Sequence, residues 1–230
     1  MNNESPKRAN VPMLLTLVVV FLVLAAGVYS MFQNAEETGN ISKSMSNCRQ
    51  VITLLQMYAA DHDGKYSDAA LSNPQTSNEV FRICLKETLF DNEFIFGSAM
   101  SPYLPDGELG PAPEYAKALE ANENHWAITA GLSQNSPGGI PLVYENPVTA
   151  SWPPRWNASA KGTPTRGRTW SKGVIIGLND ASVLLKKLES RWGTSVGLEK
   201  EPHGKDLFEA AIDPVKFPKG VVLDVLRKSE

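Results

Sequence analysis

Closely spaced aspartates follow the first long apolar pattern of the sequence, at Asp61, Asp63 and Asp68. Carboxylates at such spacing resemble the ligands of Ca²⁺, which prefers several oxygen atoms. A calcium loop of the EF-hand type beginning at Asp61 requires a glutamate at its twelfth position, where this sequence has Ser72. The segment is better explained as a helix end and a turn, because aspartate and glycine favour such ends. We therefore predict no metal site and no cofactor.

The histidines and cysteines do not form a catalytic signature. His62, His125 and His203 are far apart in the sequence and lack the paired spacing of metal-binding helix motifs. The chain also has no C-x-x-C pair. A Ser-His-Asp arrangement can be built from residues distant in sequence, but these patterns do not point to one. We interpret the chain as a protein that is not an enzyme.

Cys48 and Cys84 are the two cysteines of the chain. If their segment is exported, they can form a disulfide, because such bonds persist in oxidising compartments. A bridge closing a loop of this length stabilises by about 3–4 kcal/mol in the chain-entropy model. The alternative is two separately buried thiols, since spacing alone does not bring the two Cα atoms together. Both residues lie on the apolar faces of predicted helices, and we predict that they pair.

The segment Asn146–Lys172 combines basic and aromatic residues and has no acidic residue. Basic side chains interleaved with aromatic rings suit an anionic or sugar ligand, either DNA or an anionic glycan. The candidate ligand surface consists of Arg155, Trp156, Lys161, Arg166, Arg168 and Trp170. The alternative is an ordinary long loop that its tryptophans attach to the domain, and this interpretation is favoured because long loops need apolar contacts.

The chain that positions all of these candidate residues has an apolar run near its N-terminus. Val11–Phe32 is about as long as the roughly 20 residues that cross a bilayer as a helix. Lys7 and Arg8 precede this run, and the next charged residue is Glu36. The positive-inside rule therefore predicts a cytoplasmic N-terminus and an extracytoplasmic C-terminal part.

A cleaved signal peptide is the alternative, because Ala25-Ala26-Gly27 resembles a cleavage site. The apolar run continues beyond these small residues, which favours an uncleaved anchor in the bacterial inner membrane. The predicted organisation is a cytoplasmic segment 1–10, an anchor 11–32, a helical continuation 33–64 and a globular domain 65–230.

Apolar residues recur at alternating spacings of four and three after the anchor, which predicts one face of a long helix. They are Ile41, Met45, Cys48, Ile52, Leu55 and Ala59. The helix is expected to end at Asp61–Gly64, where Gly64 suits a left-handed cap. A second helix is predicted over 78–90, beginning at Ser77 or Asn78, and a third over 113–122.

Short apolar runs bounded by turn residues predict strands at 125–130, 141–145, 172–178 and 182–187. The last two form a predicted hairpin that turns at Leu178-Asn179-Asp180. A short helix is expected at 206–211, and the apolar run 221–226 can add a strand or a helix. The predicted fold class is α+β, with a small antiparallel sheet packed on the outer half of the long helix.

Two segments resemble the type IV pilins and the pseudopilins of type II secretion. NCRQVITLLQMYAADHDGKYSD, residues 47–68, is similar to the end of the long helix in these proteins. GVIIGLNDASVLLKKLE, residues 173–189, resembles the terminal hairpin of the pilin-like group with a His-x9-Asp-Gly motif. The resemblance implies a pilin-like fold and a structural role in a secretion or surface-filament system, with other pilin-like subunits as partners. The alternative is a stand-alone binding module on the same scaffold.

The chain differs from that family at a few specific positions. Prepilins carry a processing site and a Glu at the fifth mature position, and placing the site after Ala9 puts Leu14 there. In the hairpin, Trp170 occupies the place of the motif's His, and Asp180-Ala181 replaces Asp-Gly. We therefore expect an unprocessed N-terminus, and no function that depends on the motif's His.

Overall fold

The first element of the structure is a single long helix, α1. The computed structural model describes residues 11–160, 165–211 and 221–228, and α1 extends over Val11–Ala60, 50 residues. The predicted end of this helix is confirmed. Gly64 has a left-handed φ of +76°, and its N–H donates a hydrogen bond of 2.8 Å to the carbonyl of Ala59. Contacts divide the chain into two compact units, Met1–Gly39 and Asn40–Glu230.

The apolar face predicted for the second half of α1 is buried in the unit Asn40–Glu230. Its buried members are Ile41, Cys48, Ile52, Leu55 and Ala59, and Met45 is partly buried against them. Val51, Leu54 and Tyr58 widen this buried face. The α1 face is therefore one side of the main hydrophobic core, as a stripe of this spacing requires.

Helix α2, Ser77–Thr88, begins at the first of the two residues that the sequence predicted as its start, Ser77 or Asn78. The Thr76 side chain accepts a hydrogen bond from the backbone N–H of Glu79, and the Glu79 carboxylate accepts one from the N–H of Gln75. These bonds satisfy amides at the helix start that lack a partner within the helix. Leu89, in a left-handed conformation, ends the helix.

Five short strands form one antiparallel sheet. They are β1 Trp126–Ala130, β2 Pro141–Glu145, β3 Val174–Leu178, β4 Val183–Lys186 and β5 Val221–Leu223. Their order in the sheet is β4-β3-β2-β1-β5, and every pair is antiparallel. The predicted strands and the hairpin between β3 and β4 are confirmed. The last apolar run, left open as strand or helix, adds β5 at one edge.

The sheet is covered on both faces, which explains why β1, β2 and β3 are almost entirely apolar. Ile128, Val143 and Ile175 lie in the same cluster as the α1 face. Tyr144 and Ile176 point the other way, into a second cluster that includes Trp156 and Phe208. Phe208 belongs to α3, Leu207–Ala211, a short helix that the sequence also predicted. Alternate residues of each strand therefore pack into two different hydrophobic clusters, one on each face of the sheet.

Residues 113–122 are not helical, so the prediction of a third helix there is wrong. Tyr115, Leu119 and Asn122 have positive φ values of 42°, 50° and 74°, which interrupt a helical backbone. Side chains from other parts of the domain bond to the backbone of this segment. The Asn78 amide donates to the carbonyl of Leu119, and the Glu93 carboxylate accepts from the N–H of Leu119.

Candidate functional site

The first half of α1 is a continuous exposed apolar surface. Its large side chains between Met13 and Phe32 range from 50 % exposed at Val20 to 73 % at Met31. Among the described residues, α1 is the one helix long and apolar enough to span a membrane. An exposed apolar patch of this extent marks contact with lipid or with another protein.

The tryptophans of the predicted ligand surface lie inside the domain. Trp156 is fully buried beside Tyr144 and Phe208, and its indole N–H donates to the backbone carbonyl of Glu145 at 3.1 Å. Trp170 is 4 % exposed, and its indole N–H donates to Glu145 Oε1 at 2.8 Å. Neither ring is available to stack on a base or a sugar, so both attach the loop to the sheet.

The arginines of the predicted surface contact separate parts of the domain. The Arg166 guanidinium pairs with the Asp224 carboxylate and donates to the carbonyl of Pro147. Arg168 donates to the carbonyl of Met100 at 3.1 Å, whereas Arg155 is exposed and lies near Gly197. Lys161 lies outside the described residues. The five described residues do not form one ligand surface.

A buried polar network, which the sequence analysis did not find, surrounds Glu145. The carboxylate accepts hydrogen bonds from Trp170 Nε1 and from the N–H of Ile175, and His125 Nε2 lies 3.3 Å from Oε1. Glu145 is completely buried, and His125 is 2 % exposed. The network thus joins β2, β3 and the loop before β3 where solvent does not reach. Its only sequence signal is a histidine and a glutamate at the ends of apolar runs.

The hydrogen bonds of Asn146 define the tautomer of His125. Asn146 Oδ1 accepts from the N–H of Gly167 at 3.0 Å, which identifies the other amide atom as Nδ2. Nδ2 can only donate, and it lies 2.9 Å from His125 Nδ1. The imidazole hydrogen is therefore on Nε2, where it is donated to Glu145. This arrangement orients a buried carboxylate and leaves no open position for a substrate.

Three carboxylates meet at Glu93, Asp106 and Glu123, with oxygen atoms within 4.8 Å of one another. Glu93 accepts a hydrogen bond of 3.0 Å from the N–H of Gly107, and Glu123 accepts one of 2.6 Å from the N–H of Glu120. Burial raises the pKa of Glu93 and of Glu123, and the neighbouring carboxylates raise it further. These bonds join residues within the irregular chain between α2 and β1.

The three aspartates whose spacing resembles that of calcium ligands, Asp61, Asp63 and Asp68, lie in a turn or accept a backbone hydrogen bond. Asp68 is buried, and its Oδ2 accepts a hydrogen bond of 2.7 Å from the N–H of Gly131. Asp61 and Asp63 belong to the turn that ends α1, where Asp63 has a positive φ of 53°. This geometry agrees with the interpretation as a helix end and a turn.

The two cysteines are free thiols in this structure, which does not contain the predicted disulfide. Cys48 Sγ faces β2 and donates to the carbonyl of Val143 at 3.7 Å. Cys84 Sγ lies 3.0 Å from Ser67 Oγ. The apolar faces of α1 and α2 share one core, but each thiol contacts a different element. Burial raises the pKa of both, that of Cys84 to about 12.

The expectation that the chain carries no catalytic signature overlooked a G-x-S-x-G pattern at Gly193–Gly197. In hydrolases this pattern forms a sharp turn between a strand and a helix, with the serine at the turn. Here it lies in irregular chain between β4 and α3, and Val196 forms a bridge with Trp156. The structural context of a nucleophilic serine is therefore missing.

No protein-family model, no curated protein and no solved structure matches this chain in the comparisons with known proteins.

Proposed function

We propose that this chain is a membrane-anchored pilin-like or pseudopilin-like subunit, acting structurally in a bacterial secretion or surface-filament system. The observation that carries the proposal is α1. One half of the helix exposes an unbroken apolar surface, and the other half is buried in an α+β domain. This division of one helix suits a subunit whose anchor packs against lipid and against the anchors of neighbouring subunits.

The orientation in the membrane follows from charge. Lys7 and Arg8 precede the apolar run, and Glu36 and Glu37 follow it. By the positive-inside rule the N-terminus lies in the cytoplasm of the cell and the unit Asn40–Glu230 lies outside the inner membrane.

The interior of the domain also supports a structural role. Its conspicuous polar residues, His125, Glu145 and Asn146, are buried and bonded to one another and to the backbone. Such a network orients strands and loops. Catalysis would require that at least one of these groups reach a substrate.

N-terminal sequencing of the membrane-extracted chain, with and without a co-expressed prepilin peptidase, tests how the subunit is prepared for assembly. A methylated N-terminus at Asn10 would mean true pilin processing. We expect an intact Met1 in both samples, because Leu14 replaces the Glu of prepilins. If the intact chain is extracted from membranes only as a monomer, the proposal fails and the stand-alone binding module takes its place.

A further inference from the structure

A small open pocket lies between the turn that precedes β3 and the segment that follows β4. We call it the β3–β4 pocket, and its volume is about 320 Å³. The polar and basic residues of its lining are Thr169, Ser171, Lys172, Lys187, Ser190 and Arg191. The backbone N–H of Trp170 donates to the carbonyl of Gly173 at 2.9 Å and closes a tight turn. This turn brings Lys172 to the end of β4. Of the five described residues of the predicted ligand surface, Trp170 alone lines this pocket.

Three cationic side chains surround the pocket. Lys172, Lys187 and Arg191 are exposed, and none of them forms an ion pair with a carboxylate in the described part of the chain. The nearest acidic residue in sequence, Glu189, is directed elsewhere. Its Oε2 lies 4.0 Å from the position of a Cβ at Gly197, which Arg155 Nη1 also approaches, at 3.8 Å. The pocket therefore concentrates positive charge without an internal counter-ion.

Thr169 supplies a separate indication of a ligand. The residue lines the pocket and is 2 % exposed, yet its hydroxyl has no hydrogen-bond partner in the described structure. Buried hydroxyl groups nearly always have a partner, because leaving one unpaired costs free energy. An unpaired hydroxyl in the wall of a pocket that also carries three cationic side chains is a donor that an oxyanion can satisfy.

We propose that the β3–β4 pocket binds the phosphate group of a small, soluble phosphate ester. The three cations more than neutralise the two charges of a phosphate monoester, and the planar Arg191 guanidinium can donate two parallel hydrogen bonds to it. The volume is near the lower limit of about 300 Å³ for ligand pockets, which fits a sugar-sized molecule. The inference is independent of the proposed role of α1.

Isothermal titration calorimetry of the full chain in detergent micelles tests the proposal. The probes are glucose 6-phosphate, inorganic phosphate and uncharged glucose, in a chloride buffer of constant ionic strength. We expect saturable binding of glucose 6-phosphate, weaker binding of inorganic phosphate and no binding of glucose. Equal affinity for the two phosphates would identify the free anion, and not an ester, as the ligand. Absence of binding to both phosphates would overturn the proposal.

Two variants connect the binding to the pocket. Thr169→Val keeps the shape of the side chain and removes the hydroxyl, so affinity for glucose 6-phosphate should fall about tenfold or more. The melting temperature should not fall, because that hydroxyl has no partner to lose. Lys187→Ala combined with Arg191→Ala should abolish binding.

The matched control is Lys86→Ala combined with Lys205→Ala, which removes two exposed charges outside the pocket. This control should bind like the unmodified chain. Equal loss of binding in the control and in the pocket variant would show that the interaction is non-specific charge attraction. That result would overturn the proposal. Unchanged affinity in Thr169→Val would overturn the role of the hydroxyl as a ligand contact.

Discussion

The indole rings of Trp156 and Trp170 each donate a hydrogen bond to Glu145, one to its backbone carbonyl and the other to its carboxylate. Both rings are buried, so their apolar area is removed from water while each N–H keeps a hydrogen-bond partner. At the scale of single residues, the loop before β3 is therefore organised around one buried acid. The aromatic residues that suggested a ligand surface are structural.

Replacing Trp156 with alanine should lower the free energy of unfolding by about 3–5 kcal/mol, because a completely buried indole leaves a large cavity. Denaturant unfolding monitored by circular dichroism measures this loss. Trp192→Ala is the control, since Trp192 is 75 % exposed and should contribute little. A Trp156→Ala variant as stable as the control would show that the second cluster does not support the sheet.

Cys48 and Cys84 should both resist a thiol reagent in the native protein and react fully after unfolding. Both thiols are buried, and their raised pKa values leave almost no thiolate to react. Mass spectrometry of protein alkylated with and without denaturant measures the difference. Protein purified from the periplasm that carries a disulfide between the two residues would contradict the structure.

Glu123→Gln should stabilise the protein at pH 7 and have little effect near pH 4. The raised pKa of Glu123 means that the native state holds its proton more tightly than the unfolded chain does. The stability that the Glu123 carboxyl group contributes is present below the ordinary glutamate pKa of about 4.3. It is lost as the pH rises through the raised pKa of the native state. Thermal unfolding at the two pH values measures this. A larger gain in stability from Glu123→Gln at pH 4 than at pH 7 would contradict a raised pKa for Glu123.

At the scale of elements, α1 approaches β3 closely because position 177 is glycine. A Cβ at Gly177 would meet the side chain of Ile52 and lie 2.8 Å from Cys48 Sγ. Ile175, on the same strand, faces the same core. The absence of a side chain at Gly177 therefore sets how near the helix lies to the sheet.

Gly177→Ala should cost about 1–3 kcal/mol of stability, as overpacking of a dense core usually does. Combining it with Ile52→Val should recover part of the loss, because the shorter side chain vacates the contact. Denaturant unfolding of the single and double variants measures this coupling. Gly139→Ala is the control, since a Cβ there meets nothing within 4 Å. Additive effects of the two changes would show that Ile52 does not contact position 177.

Elements with a strong periodic signal were predictable from the sequence, whereas contacts between distant residues were not. The α1 face and the hairpin between β3 and β4 repeat apolar residues at helical and strand spacings. The irregular segment from 113 to 122 depends on side chains from elsewhere, such as Asn78 and Glu93, and local sequence carries no sign of them. The β3–β4 pocket was also unpredictable, because residues 169–173 and 187–191 meet only through the hairpin.

At the level of the whole molecule, the proposed assembly depends on what covers the first half of α1. That segment exposes large apolar residues without interruption, and the unit Asn40–Glu230 has its own hydrophobic core. Lipid alone would suit a monomeric anchor. An assembled subunit needs, in addition, a helix face that meets the helices of its neighbours.

Disulfide cross-linking in native membranes tests whether α1 contacts the helices of neighbouring subunits. Single cysteines are placed at each position from Val18 to Ala25 and oxidised, in a chain whose own cysteines are buried. We expect covalent dimers at positions three or four residues apart, because such residues share one face of a helix. The unmodified chain should give no dimer. Cross-linking at none of the positions, or equally at all of them, would contradict assembly through α1.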